Sequence, residues 1–224
     1  MPLDMLLYVD HMNPRRPIEM FFRGHLWVER VLTSLLVESL TVPDAIRAER
    51  RSFSEKRNLA IATGVLDHSS AESLKKINDV RNRLAHEFNS AVTLGDVSAL
   101  EASLKGIPKT VFDQNLPENK RPLERLQLFF QIVLGDLEFR RLNLAYQREN
   151  AASLQANFLL QGVHEQNGWE FDEIGMSDQL GIPDPPKYDE DVWFIDFEAD
   201  HSNPDAIPPE SDHTPDSSEG PPVS

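Results

Sequence analysis

Cysteine is absent from this 224-residue chain. That excludes a disulfide scaffold, a thiolate nucleophile and a zinc or iron–sulfur centre held by Cys. No apolar run approaches the roughly 20 residues that a bilayer span needs, so no membrane partner is expected. The ten glycines are scattered, with Gly162, Gly168 and Gly175 too far apart for a phosphate-binding loop. No Gly-x-Ser-x-Gly elbow occurs, and no His/Asp/Glu spacing resembles a metal cage. Neither a metal nor a cofactor is therefore expected. The first ten residues carry Asp4 where a secretory leader would carry positive charge, and no small-residue cleavage site follows. The expected home is the cytoplasm.

Basic residues are scarce in one part of the chain only. The whole sequence has 22 Lys+Arg against 37 Asp+Glu. Residues 1–150 hold 21 basic and 20 acidic side chains, and residues 151–224 hold the other 1 and 17. The body is thus near neutral at +1 and the C-terminal part carries −16. An acidic overall charge does not bar the body from nucleic acid.

Alternating strand patterns are also missing, whereas helical periodicity is plentiful. Phe21, Phe22, Val28, Leu32, Leu35, Leu36 and Leu40 recur at spacings of three and four after Pro17. A second helix is predicted from Glu55 to Leu66, capped by Ser54, with Leu59, Ala62 and Leu66 on one side. A third opens at Ser69 or Ser70 and carries the stripe Leu74, Ile77, Val80, Leu84 and Phe88. Thr93 and Asp96 resemble a capping box ahead of Val97, Leu100 and Leu104. Gly106 and Pro108 predict an end there, and Ile107 to Arg121 reads mostly as loop. Pro122 suits the first position of a long helix through Leu144, continuing or restarting over Ala151 to Gln161. Four to six such helices predict an all-α bundle over residues 1–165.

From residue 166 the chain reads as an acidic tail. Nine of the 16 prolines lie at or beyond Pro183. The composition from Asn203 onward predicts disorder, because little there can be buried to offset the entropy of ordering. One island interrupts it: Val192, Trp193, Phe194, Ile195 and Phe197, framed by Asp189, Glu190, Asp191, Asp196 and Glu198. It reads either as a docking segment or as a last piece packed on the bundle.

The most informative residues lie on the third helix, in Arg81-Asn82-Arg83-Leu84-Ala85-His86. At about 100° per residue, Asn82 and His86 stack on one side, away from the Ile77–Val80–Leu84–Phe88 stripe. Arg81 lies about 140° round from His86. Within one copy the two therefore converge poorly, but two copies about a two-fold axis can line one cleft. Histidine moves protons near neutrality, and arginine forks onto phosphate oxygens. That set suits metal-free transesterification of RNA, in which the 2′-hydroxyl attacks its own phosphate. The plainer reading has Arg81 and His86 bonding carboxylates or carbonyls across a helix interface.

The block Phe53-x2-Lys56-x2-Leu59-Ala60-x3-Gly64-x-Leu66, followed by Leu74-x2-Ile77-Asn78-x2-Arg81-Asn82-x2-Ala85-His86, resembles the HEPN superfamily. Within it, the chain is most similar to the bacterial mannitol-operon-repressor-like branch. Phe22-Arg23-Gly24-His25-Leu26-x2-Glu29 fits the same branch, and the resemblance covers about residues 17–150. It implies a helical bundle, usually a homodimer, with an Arg-x4–6-His motif at the dimer cleft. Many similar proteins are metal-independent endoribonucleases that act as toxins or phage-defence effectors. By that resemblance Arg81 and His86 would be catalytic and Asn82 would support them, leaving 2′,3′-cyclic phosphate ends. The repressor-like branch also implies an alternative, a transcriptional regulator without catalysis. Retention of His86 leans toward the ribonuclease, and no helix-turn-helix is evident. A helical adaptor docking through its acidic tail is a third reading.

Other candidates concern partners. His25 and Glu29, four residues apart, read as a structural pair or as additions to the site. His11, His68 and His164 stand alone, and His201 and His213 lie in the tail. Arg47, Arg50, Arg51, Lys56 and Arg57 form a basic run, either a solvated face or a salt-sensitive contact for RNA backbone. The tail has the sign to compete for that surface. An antitoxin or regulatory protein is a further partner the resemblance implies.

Overall fold

The structure, a computed structural model, describes residues 11–12, 14, 16–87, 90–116, 121–167 and 183–186. Among these residues the regular elements are all helical, and the protein is an all-α bundle. The α-helices are α1 (Pro17–Ser39), α2 (Phe53–Ala62), α3 (His68–His86), α4 (Leu94–Ser103), α5 (Gly106–Gln114), α6 (Pro122–Glu149) and α7 (Ala151–Asn167). Two short 3-10 turns, Pro43–Ala45 and Ala48–Arg50, join α1 to α2. No helix of the described residues is long and apolar enough to cross a membrane. The aromatic island at 192–197 and most of the predicted tail lie outside the described residues, as do Phe88 and Asn89.

The spine is the pair α1 and α6, which pack along each other. α6 is buried almost all round from Leu126 to Leu137, as a helix must be when its apolar residues are not confined to one stripe. Phe21 meets Phe130 edge-on at 5.7 Å between ring centres, and Phe129 meets Phe130 at 5.4 Å. Gly24 lets α1 come this close: a Cβ there would stand 2.5 Å from Cγ of Phe130. α2 and α3 pack against α1, α4 joins α3 to α6, and α5 covers another part of α6.

Helix starts follow local chemistry. The cap of α2 is Ser52, two residues before the predicted Ser54. Ser52 accepts from the Glu55 N–H at 3.4 Å, and its own N–H donates to the Glu55 carboxylate at 2.8 Å. Ser-x-x-Glu satisfies two otherwise free backbone donors, which Ser54 has no matching acid to do. The buried face of α2 is Phe53, Lys56 and Ala60, with Leu59 partly buried against the core and Ala62 exposed. Leu66 is buried, but beyond the helix end. Thr93 and Asp96 do form a capping box, with Thr93 N–H donating to Asp96 at 2.8 Å and Asp96 N–H to Thr93 at 3.1 Å.

The predicted loop from Ile107 is in its first part a helix, α5. Pro108 sits in the first turn, where its missing N–H has no helical acceptor to lose. Gly106 adopts φ +58°, so the chain reverses between α4 and α5 without a Cβ penalty. Val111 and Phe112 then bury, which holds the short helix in place.

Ion pairs tie the spine to its surroundings. Arg141 bonds Glu138 at 2.8 Å and Glu38 of α1 at 2.9 Å. Arg125 reaches Glu101 of α4 at 2.8 Å. Arg140 bonds Asp136 at 3.0 Å, Asp67 at 2.7 Å and Ser70 at 2.8 Å, which pins the start of α3 to α6.

Candidate functional site

α3 begins at a well-made cap. Asp67 accepts from the Ser70 N–H at 2.8 Å. Partial burial disfavours its charged form, but the Ser69 hydroxyl, the Ser70 amide and Arg140 together hold the carboxyl far below the usual range. From this anchor the helix runs 19 residues, so its rotational phase is set over the whole length.

That phase separates two sides. Ala71, Leu74, Ile77, Val80 and Leu84 are buried. Arg81, Asn82, Ala85 and His86 are exposed. The predicted placement of Asn82 and His86 away from the apolar stripe is what the helix adopts. Arg81 donates to Oδ1 of Asn82 at 3.3 Å, which orients the guanidinium along the surface. Among the described residues no carboxylate pairs with Arg81, and His86 makes no hydrogen bond. Among the described residues, neither side chain bonds a carboxylate or carbonyl of another helix in a single copy.

Arg83, two residues on, behaves differently. It is half-buried, donates to Glu87 at 3.3 Å and to the Ala91 carbonyl at 3.3 Å, and pairs with Asp96. Arg83 thus fixes the segment between α3 and α4, and it closes the C-terminal turn where a cation complements the helix dipole. Its role was not assigned from sequence. The signal was present in Asp96, whose capping position puts a carboxylate beside the end of α3.

The junction of α1, α2 and α3 gathers further charge. Lys56 of the predicted basic run is only 4% exposed and bonds Glu29 of α1 at 2.8 Å. It is therefore removed from the surface set: Phe53, Lys56 and Ala60, at i, i+3 and i+7, form the inner face of α2. Glu29 takes Lys56 as its partner, and His25 packs its ring against Phe53 at 4.9 Å. His25 is 6% exposed, and its Nε2 is sealed without a hydrogen-bond partner among the described residues. Burial pushes its pKa down. Glu29 opposes that, while the positive charges of Arg81 and Lys56 reinforce it. Burial thus favours the neutral imidazole of His25, within electrostatic reach of Arg81.

The remaining basic residues stay outside. Arg47 takes a left-handed φ of 51° and is exposed, as is Arg50. Arg51 bonds the Ile46 carbonyl at 3.2 Å and Glu55 at 3.4 Å, and Arg57 bonds Asn58 at 3.0 Å. An open groove of about 510 Å³ runs beside the Lys56–Glu29 pair, lined also by Leu26, Arg30 and Glu49. It contains neither Arg81 nor His86, and its carboxylates make it a poor seat for phosphate. His11 and His68 are exposed, and among the described residues no group of three His, Asp or Glu side chains is placed to hold a metal. In comparisons with known proteins the chain matches no family model, no curated protein and no solved structure.

Proposed function

We propose that this protein binds RNA and cleaves it without a metal, using Arg81 and His86 from two copies brought together about a two-fold axis. The single observation that supports this reading is the exposed Arg81–Asn82–His86 side of α3, held in phase by the buried Ile77–Val80–Leu84 stripe. In the proposed reaction His86 takes the proton of a ribose 2′-hydroxyl and later returns one to the leaving 5′-oxygen. Arg81, steered by Asn82, neutralises the charge that builds on the phosphate. Arg47 and Arg50 would then track the RNA backbone and make binding salt-dependent. The resemblance to HEPN ribonucleases supports the same assignment and suggests a toxin or phage-defence role, with an antitoxin or regulatory protein as partner.

The test is RNA integrity after incubation with purified wild type, Arg81→Ala and His86→Ala, in the presence of a chelator. Cleavage leaving 2′,3′-cyclic phosphate ends is expected from wild type only, with a loss of about 100-fold or more in each variant. Equal cleavage by all three, or none by the wild type, would overturn the reading. Selective retention of an operator DNA by a wild type that leaves RNA intact would replace it with the repressor-like alternative.

A further inference from the structure

We infer that Asp79 makes the proposed cleavage specific for guanosine, accepting the N1–H and N2–H of the base whose ribose 2′-hydroxyl lies at His86. This specificity rests on the ribonuclease reading and deepens it. Asp79 is exposed on α3, seven residues before His86. At ~100° per residue the two lie within about 20° of one another around the helix. Asn82 falls between them on the same side, one turn from each. The row Asp79–Asn82–His86 thus runs about 10 Å along the axis. One nucleotide can bridge that span, with its ribose at one end and its base edge at the other. Both ends belong to one helix, so a two-fold partner leaves the spacing unchanged.

Asp79 is not consumed by its own helix. Lys75 and Lys76 stand four and three residues before it, the spacings at which helical ion pairs form, and neither reaches it. Arg83, four residues on, is turned instead to Glu87, Asp96 and the Ala91 carbonyl. Asp79 therefore has no bonding partner among the described residues. An ionised carboxylate so placed repels a phosphate chain, and it serves an RNA site only by meeting donors. α3 contains no Phe, Tyr or Trp on which a base could stack, so recognition there falls to hydrogen bonds on the base edge. A carboxylate accepts two parallel bonds. Guanine alone among the RNA bases presents two adjacent donors, N1–H and N2–H, on its pairing edge. Adenine and cytosine offer an amino group beside a ring acceptor, and uracil an N3–H between carbonyls that repel the acid. Asn82 completes the match: its Oδ1 accepts from Arg81 at 3.3 Å, which leaves its amide N–H groups to donate to guanine O6.

The test uses full-length wild type, Asp79→Asn and Asp79→Ala on uridine oligonucleotides that carry a single internal G, A, C or inosine. Inosine keeps the N1–H and lacks the N2 amine. Wild type should cleave on the 3′ side of G on the order of 10- to 100-fold faster than after A, C or U, with inosine in between. Both variants should lose that ratio, cleavage after G falling to the level of the other bases while cleavage after A, C and U does not fall. A wild type that cleaves after every base alike, or an Asp79 variant that keeps the preference for G, would overturn the specificity and leave the ribonuclease reading standing. Inosine cleaved as fast as G would show that the N2 amine is not read, and would overturn it equally. A wild type that cleaves none of the substrates fails the ribonuclease reading itself, and the specificity falls with it.

Discussion

Arg141 on α6 and Arg81 on α3 are guanidiniums in the second half of long helices, and their surroundings could hardly differ more. Arg141 is 6% exposed, bonded to Glu138 beside it and to Glu38 across the spine. These carboxylates raise its already high pKa. Arg81 is exposed, meets only the amide of Asn82, and has no carboxylate partner among the described residues. A charge removed from water needs fixed partners, and those partners then commit it to holding the fold. A charge left in water beside a hydrogen-bonding amide remains available to a ligand. The same contrast separates the two histidines: His25 is sealed against Phe53, and His86 stands in the open.

The largest effect should come from Arg141→Leu. It removes the guanidinium that pairs with the buried Glu138, and should cost about 3–5 kcal/mol of stability by urea denaturation. Adding Glu138→Leu should recover most of that loss. A single variant as stable as wild type would break the contrast at its strongest point.

His25 should give a smaller, pH-dependent effect. Its folded pKa lies below that of the unfolded chain, which is about 6.5. Unfolded protein therefore takes up the proton first, and this contribution to stability falls as pH drops below about 6.5 toward the folded value. His25→Leu removes the titrating group, so melting temperatures should lose part of their decline over that window. Parallel curves for the two proteins between pH 7 and pH 5 would show that His25 is not held neutral.

The smallest effect is expected on the outer side of α3. Arg81→Ala and His86→Ala should change stability by no more than about 0.5 kcal/mol, since neither side chain is packed. A large loss in either would mean that the polar side is structural after all, and would remove the reason for reading it as a site.

Much of this contrast was legible along the chain. The stripe Leu74, Ile77, Val80 and Leu84 fixed which side of α3 turns inward, and Arg81, Asn82 and His86 followed as the outer set. Pro122 marked the start of α6, and Thr93 with Asp96 the start of α4. Residues whose side chains disagree with their positions were harder to place. Lys56 reads as one more surface cation in a basic run, although its register with Phe53 and Ala60 points inward. Its burial depends on Glu29, 27 residues away, being there to receive it. α5 was obscured because Pro108 breaks most helices, though not in their first turn.

The sequence by itself determined the helical class, the two sides of α3 and the neutrality of the body, because each depends on periodicity or composition along the chain. Only the tertiary structure decided which charges are available. It sealed Lys56 with Glu29, packed His25 against Phe53, and buried Arg141 between two carboxylates. It also left α7 without a buried residue. The physical reason is that a side chain's solvation depends on what distant segments bring beside it, and spacing along one helix carries no record of that.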